Sequence, residues 1–260
     1  MSVHSRWSAY RWHLIRPMPV ASVVNHALDE VLLRRVGAGE RQPTLRFWGR
    51  IEPEVVIGRF QSVRNEVDEE AARRYGIQIT RRLTGGGAMF VEPENIITYS
   101  IYAPLELVSG MSFVESYAFL DEWVIEALRS LGIDAWYEPI NDITSSGGKI
   151  GGAAQARRFG AVLHHATLSY DLNSDRMLEV LRIGKEKLSD KGITSAARRV
   201  GPLRQQTNLP RDVIVERMIE TFAQRCGGLE EDEVSEEEMA EAGELIRTKY
   251  GTREWTYTLP

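Results

Sequence analysis

The sequence predicts an α/β (α+β) fold in which a mixed β-sheet is flanked by helices. Three observations predict it. Apolar stripes at helical spacing occur in residues 22–36, 113–131 and 211–226. Between them lie short runs rich in β-branched and aromatic residues, such as NIITYSIY at 95–102. These runs do not follow a strict βαβ rhythm, which argues against a doubly wound parallel sheet. The 260 residues, 43% hydrophobic and 27% charged, allow one large domain or two small ones.

The elements can be justified in order. In residues 22–36, Val24, Leu28, Val31 and Leu32 share a helix face, with Asp29, Glu30 and Arg34 elsewhere. His26 lies beside that face and reads as a core histidine. Strands are predicted at 44–48 and 55–58, and a short helix at 67–75 that Gly76 ends. Residues 77–82 and 88–91 read as strands flanking a glycine-rich hairpin, and 95–102 as a further strand. Gly132 closes the helix at 113–131. GAVLHHATLSYDL gives a strand at 160–172, and Ser174 is placed to cap a helix through Leu181. The apolar stripe of residues 211–226 runs through Val215, Met218, Ile219, Phe222 and Cys226. The acidic segment 230–238 reads as a solvated loop and helix start, with Ser235 and Glu238 spaced as a capping box. The closing EWTYTL reads as a strand.

Composition excludes several classes. A formal net charge of −5 and the lack of a basic arm argue against a nucleic-acid binder. No apolar run approaches the ~20 residues of a membrane span, and the N-terminus lacks a secretory apolar region. The single cysteine, Cys226, excludes an internal disulfide and a multi-cysteine metal site, which fits a reducing cytoplasm.

Two glycine clusters carry the chemistry. In ITRRLTGGGAMF, Arg81 and Arg82 precede Gly85, Gly86 and Gly87. Three adjacent glycines suit a backbone that passes close to a ligand, and two guanidiniums suggest an anionic one. Neither a P-loop nor a dinucleotide fingerprint is present. In NDITSSGGKIGGAA, Lys149 sits between glycine pairs, where an ammonium can face a phosphate or acyl oxygen; alone, the pattern equally describes an exposed loop lysine. His164 and His165 adjoin on one strand and so face opposite sides, which argues against a shared zinc. KEKLSDKGITSAARR, residues 185–199, reads as a basic loop over a phosphate or as a solvated segment.

Together RRLTGGGAMF, NDI…GGKIGGAAQARR…GAVLHHATL and KEKLSDKGITSAARRV resemble, in order and spacing, the lipoate–protein ligase A family, of the superfamily that includes biotin ligases and octanoyltransferases. The resemblance runs from about residue 25 to residue 255. It implies a single catalytic domain over 1–260, without the small C-terminal accessory domain that many such ligases carry, and an accessory piece supplied separately. It implies that Arg82, Gly85, Gly86, Gly87, Ala88, Met89 and Phe90 contact nucleotide and acyl chain, and that Lys149 is the catalytic cation. Asn141, Asp142, His165 and Thr167 match the neighbouring motifs, and Gly184, Lys185, Thr194 and Ser195 an adenylate-binding loop. Two positions depart from the family pattern: Gly151 stands where a serine is usual, and Ala166 where a glycine is.

The implied reaction joins lipoate, or octanoate, to AMP from ATP with Mg2+, for which Asp142 is a candidate ligand. The acyl group then passes to a lysine of a lipoyl domain. The acceptor would be a dehydrogenase E2 subunit, the glycine-cleavage H protein or a dedicated carrier. Three alternatives stand beside it. Octanoyltransferases of the superfamily work through a thiol without ATP, but Cys226 lies in a core stripe away from every motif. A biotin ligase would need a different arginine–glycine loop. A binding module would keep the pocket without turnover.

Overall fold

The computed structural model describes residues 6–182 and 200–259. In chain order its strands are β1 (Trp12–Val20), β2 (Thr44–Arg50), β3 (Glu54–Ile57), β4 (Gln78–Arg81), β5 (Met89–Val91), β6 (Ile96–Pro104), β7 (Ala135–Glu138), β8 (Asp142–Ser145), β9 (Gly148–Arg158), β10 (Ala161–Ser169) and β11 (Leu229–Asp232). Eight form a mixed sheet in the order β11-β1-β2-β6-β10-β9-β8-β7, and three form a second sheet, β4-β3-β5. The main helices are α1 (Ser22–Ala38), α2 (Glu69–Arg74), α3 (Phe113–Ser130), α4 (Ser174–Val180), α5 (Arg211–Cys226) and α6 (Glu236–Leu245). The mixed-sheet class is as predicted.

β10 shows how the sheet is sided. Successive strand residues face opposite ways. Val162, Ala166 and Leu168 enter the main core under α3 and α5, where Trp12, Trp123 and Phe222 pack edge to face. Leu163 faces a separate cluster with Leu32, Leu33 and Val36 of α1. His164 and His165 therefore diverge as predicted: His164 Nε2 lies 2.7 Å from Asp121 of α3, and His165 faces the other side.

α1 departs from a simple amphipathic helix. It is covered by the sheet on one side and by α6 with Tyr250 on the other. Its polar residues Asn25, His26, Asp29 and Glu30 are consequently buried. Glu30 is bonded by Lys249, Arg34 and Tyr250. Burial alone would raise its pKa, but these bonds hold it below the ordinary value. His26 is a core residue: Nε2 lies 3.2 Å from Glu54 and 3.1 Å from Thr80, while the buried Nδ1 has no hydrogen-bond partner among the described residues.

Several expectations are corrected. Residues 77–82 and 88–91 do not form a hairpin: β4 and β5 lie on opposite sides of β3, parallel and antiparallel to it respectively. The glycine segment is thus a crossover over the end of β3. Arg81 is wholly structural. Its guanidinium donates to the carbonyls of Gly58, Arg59, Gln61, Trp255 and Thr256. Those bonds hold EWTYTL as a one-turn helix, Arg253–Thr256, rather than a strand; tertiary hydrogen bonding overrides β-propensity there. The acidic segment contains β11, paired parallel to β1, with Arg11, Arg16 and Arg41 on its carboxylates. The capping box at Ser235 and Glu238 is present. Asn173, not Ser174, caps α4. β1, β7, β8 and β9 were not foreseen; β1 carries an internal proline at a register shift, and β9 is rich in glycine.

Candidate active site

A cavity of about 320 Å3 opens between the two sheets. One wall comes from the crossover and β5: Arg82, Gly86, Gly87, Ala88, Met89, Phe90 and Val91. The facing wall comes from β9 and β10, with Lys149, Gly151 and Gly152 on one and His165, Thr167 and Ser169 on the other. Asn141 lies at the β8 side, and Ile96, Leu172, Met177 and Leu181 supply an apolar end. The cavity therefore combines donors and a cation with apolar surface, as a site for an amphipathic ligand does.

The crossover is held by close packing. A Cβ at Gly58, where β3 ends, would lie 2.1 Å from the Gly86 carbonyl oxygen. Gly86 itself has φ +93°, which an L side chain rarely adopts. Arg82 is buried and grips this backbone from within: Nη2 donates to Gly85 O (2.6 Å) and Gly87 O (2.9 Å). Burial among backbone carbonyls pushes its pKa down to about 10. The two arginines thus divide: on a strand end their side chains separate, and only Arg82 reaches the cavity.

Lys149 lies on β9, not on a loop. Its Nζ is 2.7 Å from Asp142 Oδ1 on the neighbouring β8. The pair sits at a register shift between Ile143 and Thr144, against Gly152, where a Cβ would stand 3.4 Å from both charged groups. Asn141 Nδ2 donates to Ala153 O at 2.6 Å and fixes the turn into β8. Gly151 has a steric cause: a Cβ there would meet Thr167 O at 2.6 Å.

Of the sequence-predicted residues, Arg82, Gly86, Gly87, Ala88, Met89, Phe90, Asn141, Lys149, Gly151, His165 and Thr167 line one cavity. Asp142 reaches it through Lys149. Gly85 lies just behind the lining and accepts from Arg82. Ala166 does not face it, because strand alternation turns it into the α3–α5 core. Gly184, Lys185, Thr194 and Ser195 lie outside the described residues. Sequence reasoning missed Thr84 and Asp29, whose side chains both bond His165. Thr84 adjoins the glycine triplet, which was a usable signal; nothing in the period of α1 marks Asp29 as buried.

The model of the lipoyl protein ligase A/B catalytic domain family matches residues 22–226. The chain belongs to that family. A lipoyl ligase-family relative, octanoyltransferase LipM of Kyrpidia tusciae, is 31% identical over 95% of this chain and 98% of its own length. A solved bi-partite lipoate protein ligase from Thermoplasma acidophilum, studied with its E2 lipoyl domain, superposes with a TM-score of 0.84 at 31% identity, covering 96% of this chain and 97% of that one. A lipoate-protein ligase A bound with ATP superposes with a TM-score of 0.82 at 29% identity, over 96% and 99%. The mixed sheet and its flanking helices are therefore those of lipoate ligases. Among the described residues, no helix is long and apolar enough to cross a membrane, and no group of three or more His, Cys, Asp or Glu is placed to hold a metal.

Proposed function

We propose that this chain is the catalytic polypeptide of an ATP-dependent lipoate–protein ligase, acting in the cytoplasm. Lipoate or octanoate attacks the α-phosphate of ATP, giving the acyl-adenylate and pyrophosphate. The ε-amine of a lipoyl-domain lysine then attacks the acyl carbon and expels AMP. Negative charge develops at the acyl-phosphate centre in both steps, and Lys149 is the ammonium that stabilises it. Crossover N–H groups and Thr167 orient the ligand, and the apolar surface of Phe90 and its neighbours takes up hydrocarbon or base. Magnesium would come with the triphosphate, since Mg2+ commonly binds one or two carboxylates together with phosphates. Asp142 offers one such carboxylate, shared with Lys149. Likeness to a bi-partite ligase supports a separate accessory polypeptide and a lipoyl-domain acceptor.

One observation carries this reading: the cavity holds a lysine and no thiol. Likeness to an octanoyltransferase favours a second reading, acyl transfer without ATP. A covalent thioester route needs a thiolate at the cavity. The chain's one cysteine is buried in the α3–α5 core, with Sγ donating to Gly228 O at 2.9 Å, and burial raises its pKa. The deciding experiment is the mass of a lipoyl domain after incubation with this chain, lipoate, ATP and magnesium, with and without an accessory subunit. ATP-dependent gain of one lipoyl group supports ligation. Octanoyl gain from acyl carrier protein in the absence of ATP would replace it with the second reading.

A further inference from the structure

Behind the glycine crossover, polar side chains from α1, β10 and the end of β4 form one directed chain. Arg82 Nε lies 3.1 Å from Thr84 Oγ1, which lies 2.7 Å from His165 Nε2; His165 Nδ1 lies 2.8 Å from Asp29 Oδ2. The two ends fix the direction of every proton. A guanidinium only donates, and an ionised carboxylate only accepts. Asp29 is ionised: burial alone would raise its pKa, but His165, Arg46 and the Tyr102 hydroxyl hold it below the ordinary value. Burial lowers the pKa of His165, so its ring carries a single proton. That proton sits on Nδ1, facing Asp29. Nε2 then accepts from the Thr84 hydroxyl, whose oxygen accepts from Arg82.

We infer that Asp29 is a positioning residue for acyl transfer: it sets the tautomer of His165 and, through Thr84 and Arg82, holds the glycine crossover at the cavity wall. The inference rests on the reading that this cavity is the acyl-transfer site. Asp29 does not line the cavity; it acts through a ring that does. Arg82 completes the link, because the guanidinium that donates to Thr84 also grips the Gly85 and Gly87 carbonyls.

The substitution Asp29→Asn keeps the volume and inverts the chain. Asp29 Oδ1 accepts from the hydroxyls of Tyr102 (2.5 Å) and Ser100 (2.9 Å). Those two donors retain the amide oxygen of asparagine, which turns its NH2 toward His165 Nδ1. Nδ1 must then accept, so the ring proton moves to Nε2. Thr84 Oγ1 now faces two N–H donors, and its own proton loses its acceptor. Such misorientation in a buried network loosens what it supports.

The test is made on the full chain with 15N-labelled histidine. Long-range 1H–15N correlation reads the His165 tautomer, and lipoyl transfer gives kcat/KM. We expect Nδ1–H in the wild type and Nε2–H in Asp29→Asn, with kcat/KM lowered roughly 10- to 100-fold, the scale of an ångström-sized misplacement. Thr84→Val should lose a similar factor, Thr84→Ser should restore most of it, and Asp29→Asn should add little to Thr84→Val. An unchanged tautomer in Asp29→Asn, or losses that multiply in the double variant, overturns the inference. Should Asp29→Asn not fold, equal kcat/KM for Thr84→Val and Thr84→Ser overturns it instead. The tautomer readout does not depend on the acyl donor, so failure of the ligase reading would show separately, as absence of ATP-dependent transfer by the wild type.

Discussion

Gly58→Ala tests the crossover most sharply. The methyl carbon would lie 2.1 Å from the Gly86 carbonyl oxygen, whereas ordinary contact begins at 3.4 Å. Gly86 must therefore retreat by about 1.3 Å, a shift comparable to those that cost about 100-fold when catalytic geometry is displaced. The crossover cannot yield freely, because Arg82 holds Gly85 and Gly87 on either side of Gly86. Overpacking of this kind costs about 1–3 kcal/mol of stability, too little to unfold an average domain. The expected outcome is a folded protein whose kcat/KM for lipoyl transfer falls about 100-fold while its melting temperature drops by a few degrees. Gly243→Ala serves as the control: a Cβ there meets nothing within 4 Å, and the position lies in α6, far from the crossover in sequence. Wild-type kcat/KM in Gly58→Ala would refute the claim that β3 and the crossover are locked together.

Other perturbations have equally definite outcomes. Cys226→Ser should leave lipoyl transfer unchanged and cost about 1–2 kcal/mol, measured by urea unfolding, because a hydroxyl replaces a buried thiol; abolished transfer would revive the thiol route. Glu54 joins the sheets, bonding Arg50 of β2, Thr80 of β4 and His26 of α1. Burial alone would raise its pKa, yet His26 and Arg50 hold it at about 2 against an ordinary 4.5. A depressed carboxyl stabilises the fold fully above its unfolded pKa, and that stability, about 3 kcal/mol, is lost as pH falls from 4.5 toward 2. Glu54→Gln should therefore be less stable than the wild type at pH 6 by about 3 kcal/mol and closer to it at pH 3. A gap independent of pH would refute that assignment.

Much of the fold was legible because long periodic segments dominate it. Arg211–Cys226 runs as read, and 113–131 differs by one residue, since its apolar stripe and the Ser112–Glu115 capping box agree. The unread parts have physical causes. β9 hides behind glycines that serve close strand approach, and β11 behind carboxylates neutralised by arginines distant in sequence. The hairpin reading failed because pairing partners are nonlocal: β3 slots between the strands that flank the crossover. At the site, motif residues were readable where they line the cavity. Alternation on β10, applied to His164 and His165, also excludes Ala166. Asp29 was out of reach, because the partners that bury and satisfy it, Ser100, Tyr102 and His165, come from β6 and β10, distant in sequence.

The most direct measurement is single-turnover transfer from preformed lipoyl-adenylate to a lipoyl domain, comparing the wild type with Lys149→Ala. This assay isolates the second step from ATP binding and from any accessory subunit. Loss of one preorganised charge donor at the reacting centre should slow the step about 100- to 1,000-fold, with the fold intact by circular dichroism. Transfer within threefold of the wild type would contradict a catalytic role for the Lys149 ammonium.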